Sequence, residues 1–144
     1  MGTGSLGVDQ MKLVIGGAYQ GKREFLMKKW DISEGEIADM EDFRDDESGR
    51  MSAAADPGIR AVVHYQVLVR EQTERGLDPA GSLRQLAALN PGIILCADEI
   101  GMGIVPMDRK ERNFREACGR TLCLAAQMSD EVWRVICGIG ERIK

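Results

Sequence analysis

The fold class is decided by one stretch near the start of the chain, Gly16-Gly17-Ala18-Tyr19-Gln20-Gly21-Lys22-Arg23. It follows the short apolar run 12–15, which predicts a strand, and it leads into a helical pattern over 23–30. Glycines let the chain fold around an anion with its N–H groups directed inward, and a helix N-terminus favours negative charge. A glycine, four further residues and then Gly-Lys is the spacing of a loop that binds nucleotide phosphates. We therefore predict that residues 16–23 bind a nucleoside triphosphate, with Lys22 neutralising the β/γ oxygens.

The residue after Lys22 departs from the usual form of such a loop. A Ser or Thr there normally holds Mg²⁺, whereas this chain has Arg23, and a guanidinium cannot ligate a metal. The loop can still bind phosphate after this change in principle, but it no longer offers a side chain that would position the metal ion. A glycine-rich turn between a strand and a helix, without a ligand, is the alternative interpretation.

A second candidate site follows the apolar run 93–97, which ends in Asp98-Glu99. A continuous apolar run predicts a strand that is buried on both faces. Carboxylates at the C-terminal end of such a strand lie beside the phosphates in proteins with a phosphate-binding loop. We predict that Asp98 holds Mg²⁺ through water and that Glu99 orients or deprotonates a nucleophile. The alternative is an exposed acidic pair after a strand.

The rest of the chain alternates strand-like and helix-like segments. We expect a strand or the start of a helix at 59–63, helices at 64–75 and 79–89, a loop at 101–106, a helix from Asp108 and a last strand at 132–137. Asp108 and Glu111 have the spacing of a capping box. The buried stripe predicted for that last helix consists of Phe114, Ala117, Cys118, Leu122 and Ala125. The alternation predicts βαβ units, and hence an α/β fold with a mainly parallel sheet.

Two further segments carry little structural pattern. The acidic segment 34–47 is expected to be a solvated face or loop, with a cation or partner site as the alternative, and 48–58 is expected to be a loop. Residues 1–10 are expected to be a flexible extension, either native or left by expression cloning, and 11–144 to be a single nucleotide-binding domain.

Composition excludes several classes of protein. The 144 residues carry a net charge of −4 with 5% aromatics, which disfavours nucleic-acid binding. No apolar run approaches the roughly 18 residues that a membrane span needs, and residues 1–10 lack the apolar centre of a secretory signal. Four cysteines and one histidine without a CxxC pair do not suggest structural zinc. We expect a cytoplasmic protein with reduced, buried thiols.

The basic segment 109–120 and the single histidine, His64, are the remaining candidates. Arg112 and Arg115 are predicted to contact phosphate or substrate through their fork geometry, with ordinary i,i+4 surface pairing as the alternative. His64 follows a predicted strand, where it is either a satisfied, partly buried residue or a base or nucleotidyl acceptor.

Three segments together resemble one enzyme family: GGAYQGK at 16–22, DEIGMGIVPMDRKERNFREACGR at 98–120 and CGIGERIK at 137–144. The family is adenosylcobinamide kinase / adenosylcobinamide-phosphate guanylyltransferase of cobalamin biosynthesis. The resemblance implies a RecA-like P-loop fold of three layers. It implies phosphorylation of the aminopropanol hydroxyl of adenosylcobinamide with ATP or GTP and Mg²⁺, and then GMP transfer from GTP through a guanylylated histidine. It also implies a homo-oligomer, a trimer, and places Glu99 beside a triphosphate held by Gly16, Gly17, Gly21 and Lys22.

The chain departs from the family between about residues 30 and 89. It is shorter there, and an acidic segment without histidine replaces the basic helix that carries the family's guanylyl acceptor. The acceptor role is therefore not transferred to His64. The expectation is a kinase-type transferase with doubtful guanylyl transfer, and the alternative is a non-catalytic homologue that binds a nucleotide or corrinoid.

Overall fold

The computed structural model of the chain describes residues 10–43, 49–99 and 108–144. The strands are β1 (Lys12–Gly16), β2 (Ile37–Asp39), β3 (Ala61–Val63), β4 (Ile94–Asp98), β5 (Glu131–Ile136) and β6 (Ile139–Arg142). The α-helices are α1 (Lys22–Lys29), α2 (Gly49–Ala55), α3 (Tyr65–Glu74), α4 (Pro79–Leu89) and α5 (Arg109–Met128). Single 3-10 turns, Glu34–Glu36 and Met40–Asp42, flank β2.

Within the described residues the strands form one sheet in the order β2-β3-β4-β1-β5-β6. The pairs β2–β3, β3–β4, β4–β1 and β1–β5 are parallel, and β6 runs antiparallel to β5. The carboxyl ends of β1, β3 and β4 therefore lie at the same edge of the sheet. The loop that follows β1 and the residues that come directly after β3 and β4, His64 and Glu99, lie at that edge.

Helices cover both faces of the sheet. Leu13 on β1 faces a large core that includes residues of α3, α4 and α5, whereas the next residue, Val14, faces a smaller core that includes Leu26 of α1. Burial on both faces explains why β1 and β4 read as continuous apolar runs. The arrangement confirms the predicted three-layer α/β fold of a P-loop protein with a mainly parallel sheet.

Three elements differ from the sequence expectations. Part of the acidic segment forms edge strand β2, because Ala38 and the following Met40 are buried. The expected loop 48–58 contains α2, on which Arg50 binds Glu71 of α3 at 2.9 Å. The strand predicted at 132–137 is also not the last one. The chain turns after β5 and forms a further strand, β6, which pairs with β5.

Several smaller predictions fare differently. The Asp108 carboxylate caps α5 by accepting from the Lys110 N–H at 2.9 Å, but Glu111 binds Arg70 of α3 at 2.9 and 3.1 Å and is not the predicted partner in a capping box. Cys96 and Cys118 are buried as expected, whereas the prediction of burial is wrong for Cys123 and Cys137. The predictions for the terminal extension before Gln10, for the end of the acidic segment at 44–47 and for the loop at 101–106 lie outside the described residues.

Candidate functional site

The loop between β1 and α1 is shaped by two glycines with different physical roles. A Cβ on Gly16 would overlap the carbonyl oxygen of Val135 on the neighbouring strand β5. Gly21, the N-cap residue of α1, has φ 85°, and this left-handed conformation costs a side-chain-bearing residue about 1 kcal/mol or more. The loop thus closes tightly onto the sheet and directs the N-terminus of α1 toward the space above it.

Lys22 is buried beneath this loop. Its Nζ lies 2.7 Å from the Gly17 carbonyl oxygen and 2.7 Å from Oδ1 of Asp98, at the end of β4. The other carboxylate oxygen of Asp98 accepts from Gln66 Nε2 at 3.0 Å, and the Asp98 N–H donates to Gln66 Oε1 at 3.1 Å. Both oxygens of Asp98 are therefore engaged, one by Lys22 and one by Gln66.

A cleft of about 310 Å³ opens above the loop. It is lined by Ala18, Tyr19, Gln20, Gly21, Lys22, Arg23 and Glu24 on the loop side and by Glu41, Val63, His64, Cys96 and Asp98 across from them. The predicted nucleotide-binding residues 18–23 thus share one concave surface, and Gly16 and Gly17 form the base of the loop. A volume of this size is at the lower end of small-molecule sites.

The wall opposite the loop holds a group of polar side chains. His64 Nδ1 lies 2.8 Å from Oδ1 of Asp39 and 3.4 Å from Oε1 of Glu41. Arg23, at the start of α1, binds the Glu34 carboxylate and lies 3.5 Å from the second oxygen of Asp39. The acidic segment therefore meets both the loop and the histidine, and His64 is partly buried and hydrogen-bonded, which was one of the two interpretations of its sequence position.

The ligand atoms of Asp39, Glu41 and His64 all lie within 4.8 Å of one another. Two carboxylates and one imidazole are a donor set that divalent metal ions accept. Asp39, like Asp98, has both carboxylate oxygens engaged: Oδ1 accepts from the Glu41 N–H at 3.0 Å and lies 2.8 Å from His64 Nδ1, and Oδ2 faces Arg23 at 3.5 Å. What distinguishes this group from Asp98 is that it offers two carboxylates and an imidazole in one place.

Glu99 is placed at the base of the loop. Its N–H donates to the Gly16 carbonyl oxygen at 2.8 Å, while its carboxylate binds the Arg134 guanidinium of β5 at 2.9 Å. Arg112 is exposed on α5, and Arg115 lies 3.8 Å from Glu111 on the same helix. Among the described residues that line the cleft, none is Glu99, Arg112 or Arg115.

The turn between β5 and β6 supports the loop from behind. The N–H groups of Cys137 and Gly138 donate to the side-chain and main-chain oxygens of Gln20, each at 2.7 Å. Both turn residues have positive φ, 51° and 78°, which is the geometry of a tight hairpin. The segments at 16–22 and 137–144, distant in the sequence, are therefore one packed unit.

Cys96 is the thiol that lines the cleft. Burial raises the pKa of Cys96 to about 12. A thiol that stays protonated at neutral pH is a poor nucleophile. Burial therefore disfavours the thiolate form of Cys96 that nucleophilic chemistry would need.

Comparison with known proteins places part of this chain, including residues of the site, in one enzyme family. Residues 60–143 match the family model of CobU, described as cobinamide kinase / cobinamide phosphate guanyltransferase. The chain belongs to this family.

Two curated relatives align with part of the chain. The bifunctional adenosylcobalamin biosynthesis protein CobU of Salmonella typhimurium is 48% identical over 52 residues, which is 36% of this chain and 29% of that protein. The protein of the same name from Escherichia coli is 46% identical over 52 residues, with the same coverage. The aligned part thus spans less than a third of either relative.

The region matched to the CobU family contains His64, Gln66, Asp98 and Glu99 together with the β5–β6 turn. The loop 16–23 lies before that region, so its assignment depends on its spacing and on its contacts with the matched part. Gln66 is the residue of this site that sequence reasoning did not single out. Asp39 and Glu41 entered it only as members of the acidic segment 34–47, for which a cation or partner site was the alternative interpretation. No helix within the described ranges is long and apolar enough to cross a membrane.

Proposed function

We propose that this chain is a nucleotide-dependent phosphotransferase that acts on an adenosylcobinamide-type corrinoid, with ATP or GTP as the phosphoryl donor and a divalent cation such as Mg²⁺. The observation that carries the proposal is the buried Lys22 ammonium, held 2.7 Å from Gly17 O and from Asp98 beneath a cleft lined by the loop. Family membership supports the class of substrate and reaction.

Lys22 is proposed to stabilise the charge that develops on the transferring phosphoryl group. An ammonium has three N–H donors, and two of them are used by Gly17 O and Asp98. The third is free for a phosphate oxygen, and the loop N–H groups and the N-terminus of α1 add further positive potential. In phosphoryl transfer such positioning and electrostatics provide most of the catalysis.

Three other residues keep proposed roles in this reaction. Glu99 would position the substrate hydroxyl or the metal, since its N–H anchors it to the loop base at Gly16. Arg112 and Arg115 would contact phosphate or substrate from the first turns of α5. A homo-oligomer, a trimer, is the proposed assembly.

Guanylyl transfer, the second activity in the family description, would need a covalent acceptor. His64 is the single histidine of the chain and lines the cleft. Of the two activities in the family description, phosphoryl transfer is the one that the loop geometry supports directly.

A non-catalytic homologue is the second candidate, and one observation favours it. Arg23 replaces the Ser or Thr that usually holds Mg²⁺ in such loops, and it is bound to Glu34 and Asp39. A protein of this kind would bind a nucleotide or a corrinoid and release no product.

The test combines the purified full chain with ATP or GTP, Mg²⁺ and adenosylcobinamide and follows the corrinoid by mass spectrometry. We expect a corrinoid that gains one phosphate, and we expect Lys22→Met to abolish it. Lys28→Met, which removes an exposed charge from the same helix, is the matched control and should retain turnover. Nucleotide-dependent thermal stabilisation without product would identify the binding homologue, and the absence of both would refute the proposal. A GMP adduct on His64 would add guanylyl transfer.

A further inference from the structure

Three side chains of types that can ligate a metal lie together at the wall of the cleft opposite the loop, and phosphoryl transfer as proposed above does not use them. Glu41 and His64 line the cleft, and Asp39 contacts both of these residues. Asp39 ends β2, Glu41 lies in the following 3-10 turn, and His64 links β3 to α3. Because β2 and β3 are parallel neighbours with Asp39 opposite Val63 in register, their carboxyl ends bring these side chains to one place.

The distances between the donor atoms suit one coordination sphere. Two ligands that lie about 2.1 Å from a metal and at right angles to each other are roughly 3 Å apart. His64 Nδ1 is 2.8 Å from Asp39 Oδ1 and 3.4 Å from Glu41 Oε1, and all three donor atoms fall within 4.8 Å. Asp39 Oδ1 also accepts from the Glu41 N–H at 3.0 Å. An ion would take the place of the proton between His64 Nδ1 and Asp39 Oδ1, and the three donor atoms would then hold neighbouring positions around it.

A second, independent observation comes from the loop. The position that usually supplies the metal ligand of a phosphate-binding loop is Arg23, which cannot ligate a cation. Arg23 faces Oδ2 of Asp39 at 3.5 Å, so the oxygen that faces His64 is the other one, Oδ1. The loop thus lacks its own metal ligand, and Glu41 and His64 line the same cleft.

We infer that Asp39, Glu41 and His64 bind one divalent transition-metal ion on the cleft wall that faces the loop. An imidazole with two carboxylates favours ions such as Mn²⁺, Co²⁺ or Zn²⁺ over Mg²⁺, whose usual ligands are all oxygen. The side chains are between 18% and 59% exposed, which leaves coordination positions open to water or to phosphate oxygens. Contact between the ion and phosphate oxygens rests on the proposed function, whereas binding of the ion itself does not.

The test titrates the full chain, without nucleotide, with Co²⁺ followed by visible absorption and with Mn²⁺ followed by calorimetry. We expect one equivalent of each ion to bind. Glu41→Gln and His64→Gln should each weaken binding by at least tenfold, and His64→Gln should change the Co²⁺ spectrum because a nitrogen ligand is lost. Glu34→Gln is the matched control: it removes a neighbouring carboxylate that binds Arg23 and lies outside the group, so affinity should stay within about twofold.

The Glu41→Gln variant allows the inference to be refuted even if His64→Gln fails to fold. Its side chain is 59% exposed, so its replacement leaves the core intact, and circular dichroism verifies that each variant is folded. Absence of binding by folded wild-type protein at millimolar Co²⁺ and Mn²⁺ would overturn the inference. Binding that all variants retain would also overturn it. Since no nucleotide or corrinoid is present, loss of the metal site and failure of the kinase proposal are separate results.

Discussion

Replacing Asp98 with Asn removes the negative charge beside Lys22 and preserves the shape of the side chain. The structure predicts opposite effects on the free protein and on nucleotide binding. The free protein should be less stable, because the buried ammonium loses its counter-charge 2.7 Å away. Triphosphate binding should become tighter, because its oxygens no longer meet a like charge beside Lys22.

The size of the first effect follows from the burial of the pair. The side chains of Lys22 and Asp98 are 8% and 24% exposed. Removing one partner of a fully buried pair costs about 3–5 kcal/mol, and partial exposure of Asp98 reduces this to roughly 1–3 kcal/mol. For a domain of this size, that corresponds to a fall in Tm of roughly 3–10 °C. For the second effect we expect Kd for the triphosphate to fall by about three- to tenfold, where tenfold corresponds to about 1.4 kcal/mol.

The assay is thermal unfolding of wild type and Asp98→Asn with increasing concentrations of a non-hydrolysable triphosphate, with and without Mg²⁺. Asp130→Asn is the control for charge, because Asp130 is half-exposed and only 3.9 Å from Lys12. That variant should change the stability by less than about 1 kcal/mol and leave Kd unaltered. If Asp98→Asn leaves the free protein unchanged and weakens Mg²⁺-dependent binding, Asp98 is the metal ligand that the sequence predicts, and our account of the lysine is refuted.

Three further outcomes are expected. Gly140→Ala should lower the free energy of unfolding by about 1–3 kcal/mol in denaturant titrations, because its Cβ would overlap the Phe25 ring; equal stability would show that the ring moves freely. Ellman's reagent should label Cys123 and Cys137 rapidly in the native state and the two buried thiols only after unfolding; four fast thiols would contradict the described burial. Glu111→Gln should be less stable than wild type at neutral pH, because a hydrogen bond from an arginine of α3 holds the pKa of Glu111 below its ordinary value. That difference should vanish as the pH falls through the lowered pKa of Glu111 and the carboxylate takes up a proton, and a difference that persists in acid would refute the assignment.

Sequence reasoning succeeded where the determining interactions are local. The strand–loop–helix around Lys22 follows from glycine spacing and periodicity, and β4 follows from an uninterrupted apolar run. It failed for β2, α2 and β6. Each of these is short, and β6 is a largely exposed strand that exists through its pairing with β5.

In the candidate site, too, local features could be predicted from the sequence and long-range contacts could not. Lys22 was found from its motif, since the motif is contiguous. Gln66 reaches Asp98 across 32 residues of sequence, and Asp39 reaches His64 across 25. No local pattern encodes such contacts, because they depend on which strands become neighbours in the sheet. Through its contacts with His64 and Arg23, Asp39 holds the acidic segment, predicted to be a solvated face or loop with a cation or partner site as the alternative, beside the loop.

The geometry also explains why the family resemblance consists of separate segments. The loop contacts β4 through Lys22 and the β5–β6 turn through Gln20, a residue 117 positions away from Cys137. A change in any of these three parts alters the position of the loop N–H groups that we propose to bind phosphate. The intervening region contributes the opposite wall, where Glu41 and His64 lie. Differences in cation or substrate preference between this chain and its relatives should therefore map to that wall, and the loop with its two supports should be interchangeable between them.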